Sequence, residues 1–370
     1  MRIKIFSFFS GCGLLDLGFE VCGYDFVLAD EISPSFMNAY TYSRKILGVP
    51  LPEAGCITDD ANTFAGRESS KLQAYIHEIN RHNDISGFIG GPPCPDFSVA
   101  GKQRGKYGDN GRLSLSYVNL IAEHKPDFFL FENVKGLIST AKHRKFYDEL
   151  KNILNGAGYF MTDKLINALM FGVPQFRERI MLFGIHRRLF IGCKINPLSN
   201  FVWDKHAVYT PEEIASASWP SESKFEESAK NTQECPPGVI EALTVQHWFD
   251  KNNVEHHPNA GDYFTPRSGI AKMFTVNEGD DSRKSYKRLH RWRYSPTAAY
   301  GNNEVHLHPY KARRLSVSEV LAVQSMPGNF CLPPEMTLTD KFKTLGNGVP
   351  FLMSLGVAKT ISEYLSEITR

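Results

Sequence analysis

Apolar and polar positions alternate in blocks along the first half of the chain. Nearly continuous apolar runs, bounded by glycine, proline or charged residues, predict buried strands at 3–9, 26–29, 85–89, 128–131 and 180–184. Helical spacing of apolar residues predicts helices between them at 33–47, 71–82, 115–121 and 145–154, the last ending at Gly156. Strands that are apolar on both faces and separated by helices predict an α/β fold whose parallel sheet is covered on both sides.

The pattern changes near residue 186 and becomes regular again near residue 313. Between these points the chain has few periodic segments, many prolines and scattered aromatic residues, which indicates a second, smaller, loop-rich domain at 186–312. Ser316 and Glu319 then form a capping-box pattern, and Pro350 can open a final helix that runs to about Glu367. We therefore expect residues 313–370 to return and complete the domain that residues 1–185 begin.

Composition adds little to this picture but excludes several classes of protein. The 370 residues carry a formal net charge of +2, with 42% hydrophobic and 22% charged residues, which is ordinary for a globular protein. Seven cysteines without a disulfide-rich pattern suit a reducing compartment, so we expect a cytoplasmic protein. No apolar run approaches the roughly 20 residues that a membrane helix needs. The sequence Ser10-Gly11-Cys12 loosely resembles a lipoprotein cleavage site, but a buried strand that runs into a glycine turn explains it better.

Polar and reactive residues follow four of the predicted strands at the point where each strand ends. They are Gly11-Cys12-Gly13, Asp30-Glu31, the loop 90–94 with Cys94, and Glu132. In a parallel sheet these carboxyl ends share one edge, which is where ligands bind. The sequence therefore predicts one composite site there.

The glycine turn and the acid at residue 31 suit a nucleoside ligand. A turn of this kind allows close approach of a ligand to the backbone, and a carboxylate after the next strand can bind ribose hydroxyls. Asp16 occupies the third glycine position of the G-x-G-x-x-G fingerprint, so a ligand without a pyrophosphate fits better than a dinucleotide. A plain strand-turn-helix connection is the alternative.

Cys94 and Glu132 are candidates for a nucleophile and a proton donor. Prolines on both sides of Cys94 stiffen its loop and hold the thiol in a set position, although most cysteines are buried and inert. Glu132 ends a very apolar strand, where burial would raise its pKa and let it carry a proton near neutral pH. A helix N-terminal carboxylate is the structural alternative. Together the two side chains suit attack on an electron-poor ring whose nitrogen must be protonated.

Two further groups of basic residues attract notice. Alternation places Arg177 and Arg179 on one side of the chain before a predicted strand, where they could grip an anion or a carbonyl oxygen or form a charged hairpin edge. The stretch 283–293 has interleaved aromatic residues and six basic residues that could neutralise phosphates, unless they form an ordinary solvated face: Arg283, Lys284, Lys287, Arg288, Arg291 and Arg293. The histidines lack cysteine pairs at zinc spacing, so we predict no metal site.

Six segments carry recognisable motifs: F-S-G-C-G at 9–13, G-P-P-C at 91–94 with Phe97-Ser98, F-E-N-V at 131–134, Q-F-R-E-R at 175–179, the segment 314–327 and G-N-G-V-P at 346–350. With these motifs the chain resembles the cytosine-C5 DNA methyltransferases, most of all the bacterial modification enzymes, whose ninth motif corresponds to 314–327. The motifs follow the family's order over nearly the whole chain. Leu14 departs from the pattern, since the family usually has glycine there.

The resemblance implies a Rossmann-like methyltransferase fold, with 186–312 as the target recognition domain. It implies that Cys94 attacks carbon 6 of a flipped cytosine, that Glu132 holds the protonated N3, and that Arg179 contacts the base while Arg177 supports the site. S-adenosylmethionine is the implied cofactor, and its pocket residues by resemblance are Phe9, Gly11, Cys12, Gly13, Leu14, Glu31, Ile32, Asp60, Pro93, Leu113, Asn347 and Val349.

The resemblance also implies partners. Double-stranded DNA is the expected substrate, and Ser98 and the basic residues of 283–293 are its expected contacts. We expect a monomer that does not bind a membrane, with a cognate restriction endonuclease, if there is one, acting separately. Two alternatives stay open at this point: an RNA cytosine methyltransferase with the same chemistry, and a DNA-binding relative without catalytic activity.

Overall fold

A parallel sheet with an antiparallel edge forms the centre of the protein. The computed structural model describes residues 1–93, 109–191, 197–266, 270–283, 285–298, 300 and 304–369. Within them the sheet has seven strands in the order β3-β2-β1-β4-β5-β7-β6. The strands are β1 (Ile3–Phe8), β2 (Asp25–Asp30), β3 (Cys56–Ile57), β4 (Ile85–Gly90), β5 (Phe128–Val134), β6 (Tyr159–Asn167) and β7 (Glu178–His186). The first five run parallel, and β7 is antiparallel to both β5 and β6.

Helices connect the strands and extend beyond them. They are α1 (Leu14–Val21), α2 (Pro34–Leu47), α3 (Ser69–Arg81), α4 (Asp109–His124), α5 (Gly136–Ser139), α6 (Ala141–Ala157), α7 (Pro211–Ser216), α8 (Val245–Lys251), α9 (Ile270–Thr275), α10 (Val317–Val323), α11 (Leu338–Asn347) and α12 (Phe351–Ile368). Among the described residues, none of these helices is long and apolar enough to cross a membrane.

Local signals in the sequence explain most helix ends. Ser33 accepts a hydrogen bond from the Phe36 amide at the start of α2, and Gly48 closes that helix in the left-handed conformation. Ser316 and Glu319 form both bonds of the predicted capping box. The predicted end of α6 at Gly156 is wrong. The helix continues to Ala157, and Gly158, whose φ is 107°, terminates it.

The sheet departs from the sequence prediction at both edges. At one edge, the two-residue strand β3 was not predicted. The sequence predicted only parallel strands, whereas β6 and β7 form an antiparallel hairpin that extends the sheet beyond β5. Strand β6 was missed because its half-exposed, charged sequence lies on the sheet edge and has no apolar run. Helix α11 was missed as well.

Apolar side chains cover both faces of the sheet. One layer packs α1 and α12 against residues such as Ile5, Phe128 and Phe183. The other packs α3, α4 and α6 against residues such as Phe8 and Phe129. A third cluster joins α1 and α2 to α8, α10 and α11, so segments from all three predicted parts of the chain share it.

Strand register decides where the functional side chains lie. Phe8 pairs with both Asp30 and Gly90, and Gly90 pairs with Phe131, so the loops after β1, β2 and β4 leave the sheet at the level of Phe131 and Glu132. Because β7 is antiparallel, its first residues meet the end of β5, and Arg179 pairs with Val134. The hairpin thus places Arg177 and Arg179 at the edge of the sheet where the parallel strands have their carboxyl ends.

Candidate functional site

The turn after β1 is held in an unusual backbone conformation. Phe9, Gly11 and Gly13 all have positive φ, of 56°, 57° and 81°. Positive φ is uncommon for a residue with a bulky side chain, and such strain is concentrated at functional sites. The Phe9 ring is half-buried and meets Tyr117 edge-on, with the ring centroids 5.9 Å apart. The turn therefore presents one face of an aromatic ring at the carboxyl edge of the sheet.

The amides of this turn are bonded within the protein. The Gly11 amide donates to Glu31 Oε2 at 2.9 Å, the Cys12 amide donates to Thr344 Oγ1 at 3.2 Å, and the Gly13 amide donates to the Ser10 carbonyl at 2.8 Å. A pyrophosphate-binding turn needs such amides free to point at the anion. The geometry therefore favours a nucleoside that carries no pyrophosphate.

Glu31 lies beside the turn and keeps capacity to bind hydroxyls. Its two carboxylate oxygens each accept one backbone amide, from Gly11 and from Ser33, both at 2.9 Å. Each carboxylate oxygen has a second lone pair for another donor. Burial raises the pKa of Glu31, while those two amide bonds act against the rise. Ile32 follows with 64% of its surface exposed, so an apolar side chain borders the carboxylate.

Residues from the end of the chain close one side of the turn. Leu14 is buried, and a Cβ on Gly348 would lie 2.6 Å from its side chain. The Leu14 side chain, at the position where the family usually has glycine, thus packs directly against Gly348 and leaves no room for a side chain there. Val349 is buried next to this contact, and Asn347 is exposed at the end of α11.

The other predicted pocket residues occupy the same edge with varied exposure. Asp60 is exposed and caps a short 3-10 helix, its Oδ1 accepting the Asn62 amide at 2.9 Å. Leu113 is half-buried on α4, and Pro93 is exposed. Their roles toward a ligand stay predictions.

Glu132 forms an ion pair with an arginine from the antiparallel hairpin. Arg179 Nε lies 2.9 Å from Glu132 Oε1, and both side chains are about nine-tenths buried. Burial raises the pKa of Glu132, and the positive charges of Arg179 and Arg177 act against that rise. A carboxyl group in this setting can hold a proton near neutral pH more readily than an exposed one.

The loop that leads to Cys94 touches this ion pair. A Cβ on Gly91 would lie 2.6 Å from Glu132 Oε2, and Asn133 Nδ2 donates to the Pro92 carbonyl at 3.2 Å. The start of the loop is therefore fixed against the end of β5. Cys94 and Ser98 themselves lie outside the described residues.

Arg177 has a different task from Arg179. It is fully buried, and its guanidinium donates to the carbonyls of Ala298, Gly346 and Gly348 at 2.8–2.9 Å. Those bonds join the start of β7 to the segment near residue 298 and to the end of α11. Of the two arginines, Arg179 faces Glu132 while Arg177 holds backbone.

The basic stretch 283–293 does not form one exposed surface, so this prediction is wrong for two of its members. Arg288 is fully buried and donates to carbonyls that include those of Val276 and His308. Arg291 is 4% exposed and pairs with Glu278 at 2.8 Å. Both guanidinium groups are used inside the protein because the fold brings acceptors to them. Among the remaining members, Arg283 is exposed, Lys287 and Arg293 are half-buried, and Lys284 lies outside the described residues.

Sequence reasoning missed a buried arginine behind the turn. Arg44 is fully buried and donates to the carbonyls of Cys12 and Gly13. The signal that could have revealed it is its position: it lies four residues after Tyr40 on the apolar face of α2, where a charge is unexpected.

Comparison with known proteins agrees with this geometry. Residues 3–363 match the family model described as C-5 cytosine-specific DNA methylase. The chain belongs to that family. It is 51% identical over 365 residues to the type II methyltransferase M.NmeDI of Neisseria meningitidis serogroup C, a match that covers 98% of this chain and 84% of the relative. It is 27% identical over 368 residues to M.NgoPII of Neisseria gonorrhoeae, covering 98% and 96% of the two chains.

Solved structures share the fold of this methylase. A protein from an E. coli prophage, described as a DNA modification methyltransferase, superposes with a TM-score of 0.63 at 23% identity, covering 99% of this chain and all of the other. The S. pombe Dnmt2 methyltransferase superposes with a TM-score of 0.58 at 15% identity, covering both chains completely. The predicted family and the predicted α/β methyltransferase fold are confirmed. The division into domains at 185 and 312 stays a prediction.

Proposed function

We propose that this methylase transfers a methyl group from S-adenosylmethionine to carbon 5 of a cytosine flipped out of duplex DNA. The observation that carries the proposal is a close approach at the end of β5. Glu132, which is paired with Arg179 at 2.9 Å, leaves no room for a Cβ on Gly91, where the loop that holds Cys94 begins. This contact supports a proton carrier beside a thiol nucleophile. We further propose that methylation falls within one short sequence, as in the modification half of a restriction-modification system, and in the cytoplasm.

The residues of the turn after β1 fit the proposed cofactor. Its amides are bonded within the protein, which suits a cationic nucleoside better than a pyrophosphate, and Glu31 has lone pairs for ribose hydroxyls. Phe9 and Ile32 would contact the adenine, while Asp60, Pro93, Leu113, Asn347 and Val349 would complete the pocket with the turn residues 11–14. When bound, S-adenosylmethionine supplies an electrophilic methyl group.

The chemistry then depends on the protein's own side chains. The Cys94 thiolate adds to carbon 6 of the cytosine, forming a carbon–sulfur bond, while the Glu132 carboxyl gives its proton to N3 and, as a carboxylate, accepts the hydrogen bond from N3–H. Carbon 5 gains nucleophilic character and accepts the methyl group, with S-adenosylhomocysteine as the other product. A base then removes the carbon 5 proton, the double bond between carbons 5 and 6 re-forms, the thiolate of Cys94 leaves, and N3 returns its proton to Glu132. Arg179 would orient Glu132 and contact the base.

Flipping a base costs a few kcal/mol, which contacts to the DNA must offset. We propose that Ser98 and the basic residues of 283–293 other than Arg288 and Arg291 supply part of these contacts: Arg283, Lys284, Lys287 and Arg293. Phosphate contacts of this kind add affinity without reading sequence.

Bisulfite sequencing of a methylation-free bacterial host that expresses the chain tests the proposal. We expect methylated cytosines confined to one short motif, and no methylation with Cys94→Ala, although the purified variant still binds duplex DNA. An unmethylated genome with folded protein present would refute methylation of DNA. Transfer of label to RNA but not to duplex DNA would then identify an RNA methyltransferase.

A further inference from the structure

Helix α2 places one positive charge in the interior behind the cofactor turn. The Arg44 side chain is fully buried, with Nη1 3.1 Å from the Cys12 carbonyl and Nη2 2.7 Å from the Gly13 carbonyl. Two neighbouring peptide groups of the turn are thus bonded by one planar side chain. These peptides lead directly into α1.

Other contacts fix the guanidinium itself. Glu20, the second-last residue of α1, accepts from Arg44 Nη2 at 2.8 Å and from Nε at 3.2 Å. The Tyr40 ring lies beneath the guanidinium, 4.0 Å from its central carbon. A buried charge without a partner would be costly, and this carboxylate supplies the partner. Because carboxylate, carbonyls and ring each constrain it, the guanidinium has one orientation.

The turn is built around this side chain. Gly13 has φ of 81°, and a Cβ there would collide with the Arg44 guanidinium. On the other side, Thr344 Oγ1 accepts the Cys12 amide at 3.2 Å, so the peptide groups on either side of Cys12 are held from α2 and from α11. The path of residues 11–13 therefore depends on two distant helices.

We propose that Arg44 is a positioning residue for S-adenosylmethionine, which sets the shape of the turn that receives the cofactor without touching it. Its counter-ion Glu20 keeps the guanidinium in place. The inference rests on the proposed function, since it assigns the turn after β1 to that cofactor.

The test is the substitution Arg44→Lys, read by calorimetric binding of S-adenosylhomocysteine in the absence of DNA. Lysine keeps the positive charge for Glu20 but cannot bond two carbonyls and a carboxylate in one plane. Loss of a charge-assisted hydrogen bond predicts a rise in Kd of about tenfold or more. We expect the KM for S-adenosylmethionine to rise by a similar factor, with kcat at saturating cofactor and the Kd for duplex DNA changed by less than about twofold.

Arg288→Lys is the matched control. Arg288 is equally buried and also donates to backbone carbonyls, but these lie in the segment 273–311, away from the turn. We expect this variant to melt at a lower temperature with an unchanged Kd for S-adenosylhomocysteine. Glu20→Gln, which preserves shape but removes the counter-ion, should weaken binding in the same direction as Arg44→Lys.

The outcomes distinguish failure of the proposed cofactor site from failure of the proposed role of Arg44. A wild-type protein that fails to bind S-adenosylhomocysteine refutes the proposed cofactor site. Wild-type binding that Arg44→Lys and Glu20→Gln leave unchanged refutes the role of Arg44. Equal weakening by Arg44→Lys and Arg288→Lys would also refute it, because the effect would then be general destabilisation.

Discussion

Replacing Gly91 with alanine would place one methyl group against the Glu132 carboxylate, the proposed proton carrier. The new Cβ would stand 2.6 Å from Glu132 Oε2, where ordinary contacts begin near 3.4 Å, so the two must separate by about 0.8 Å. The backbone of Gly91 is not in the left-handed region, so alanine adds no backbone strain. The effect therefore arises from this contact alone.

Neither side of the contact can move without consequence. Glu132 is held by Arg179 at 2.9 Å, and the loop is held by Asn133 at the Pro92 carbonyl. Any shift therefore separates the carboxylate from the loop that leads to Cys94. A misplacement near 1 Å costs about a hundredfold in rate, so we expect kcat for methyl transfer to fall by about that factor.

Initial rates of methyl transfer from labelled S-adenosylmethionine to duplex DNA measure this change. The KM for S-adenosylmethionine should stay near the wild-type value, because the glycine turn is untouched. Gly156→Ala is the control, since its Cβ meets nothing within 4 Å and alanine favours helix α6. A wild-type kcat in Gly91→Ala would show that the distance between Glu132 and the loop does not limit the reaction. The interpretation that Glu132 must be held close to this loop would then be wrong.

Three further predictions concern single groups. Glu132→Gln should lower kcat by about 10²–10⁴-fold because the proton carrier is lost, and single-turnover rates that match the wild type would contradict its role. Burial raises the pKa of Asp16 to about 7 from an ordinary 3.8, so the folded state keeps a proton that the unfolded state releases. The contribution of Asp16 to wild-type stability should therefore fall as pH rises from about 4 to 7 and then level off. In urea unfolding, Asp16→Asn should lack this fall, worth at most about 3 kcal/mol between pH 5 and 8, and parallel curves for both proteins would refute it. Arg293→Ala should reduce the salt dependence of DNA binding by about one phosphate contact, and an unchanged slope would remove it from the interface.

Predictions from the sequence succeeded where the cause is local. Ser33, Pro34 and Gly48 mark the ends of α2 because capping needs only residues next to the helix. Apolar runs identified four parallel strands because a strand buried on both faces has no polar positions. Since parallel strands end at one edge, the order of residues along the chain already brought the glycine turn, Glu31 and Glu132 together.

The unsuccessful predictions depend on partners far away in sequence. Arg288 and Arg291 were predicted to be exposed because the sequence does not reveal that Glu278 and several backbone carbonyls surround them in the folded protein. Strand β6 has no long apolar run because it lies at the sheet edge and most of its side chains are partly exposed. The number of basic residues in a segment does not show which of them the rest of the fold buries.

The sequence by itself determined the family and the sheet edge at which the glycine turn, Glu31 and Glu132 meet, because these follow from motifs and from strand direction. Tertiary structure alone decided which arginine faces Glu132, which one bonds backbone carbonyls, and that Arg44 holds the turn after β1 from within. A buried guanidinium is stable only where carboxylates and carbonyls converge on it. That convergence joins Arg177 to Gly348 and Arg44 to Cys12, residues whose separation in sequence gives no local signal.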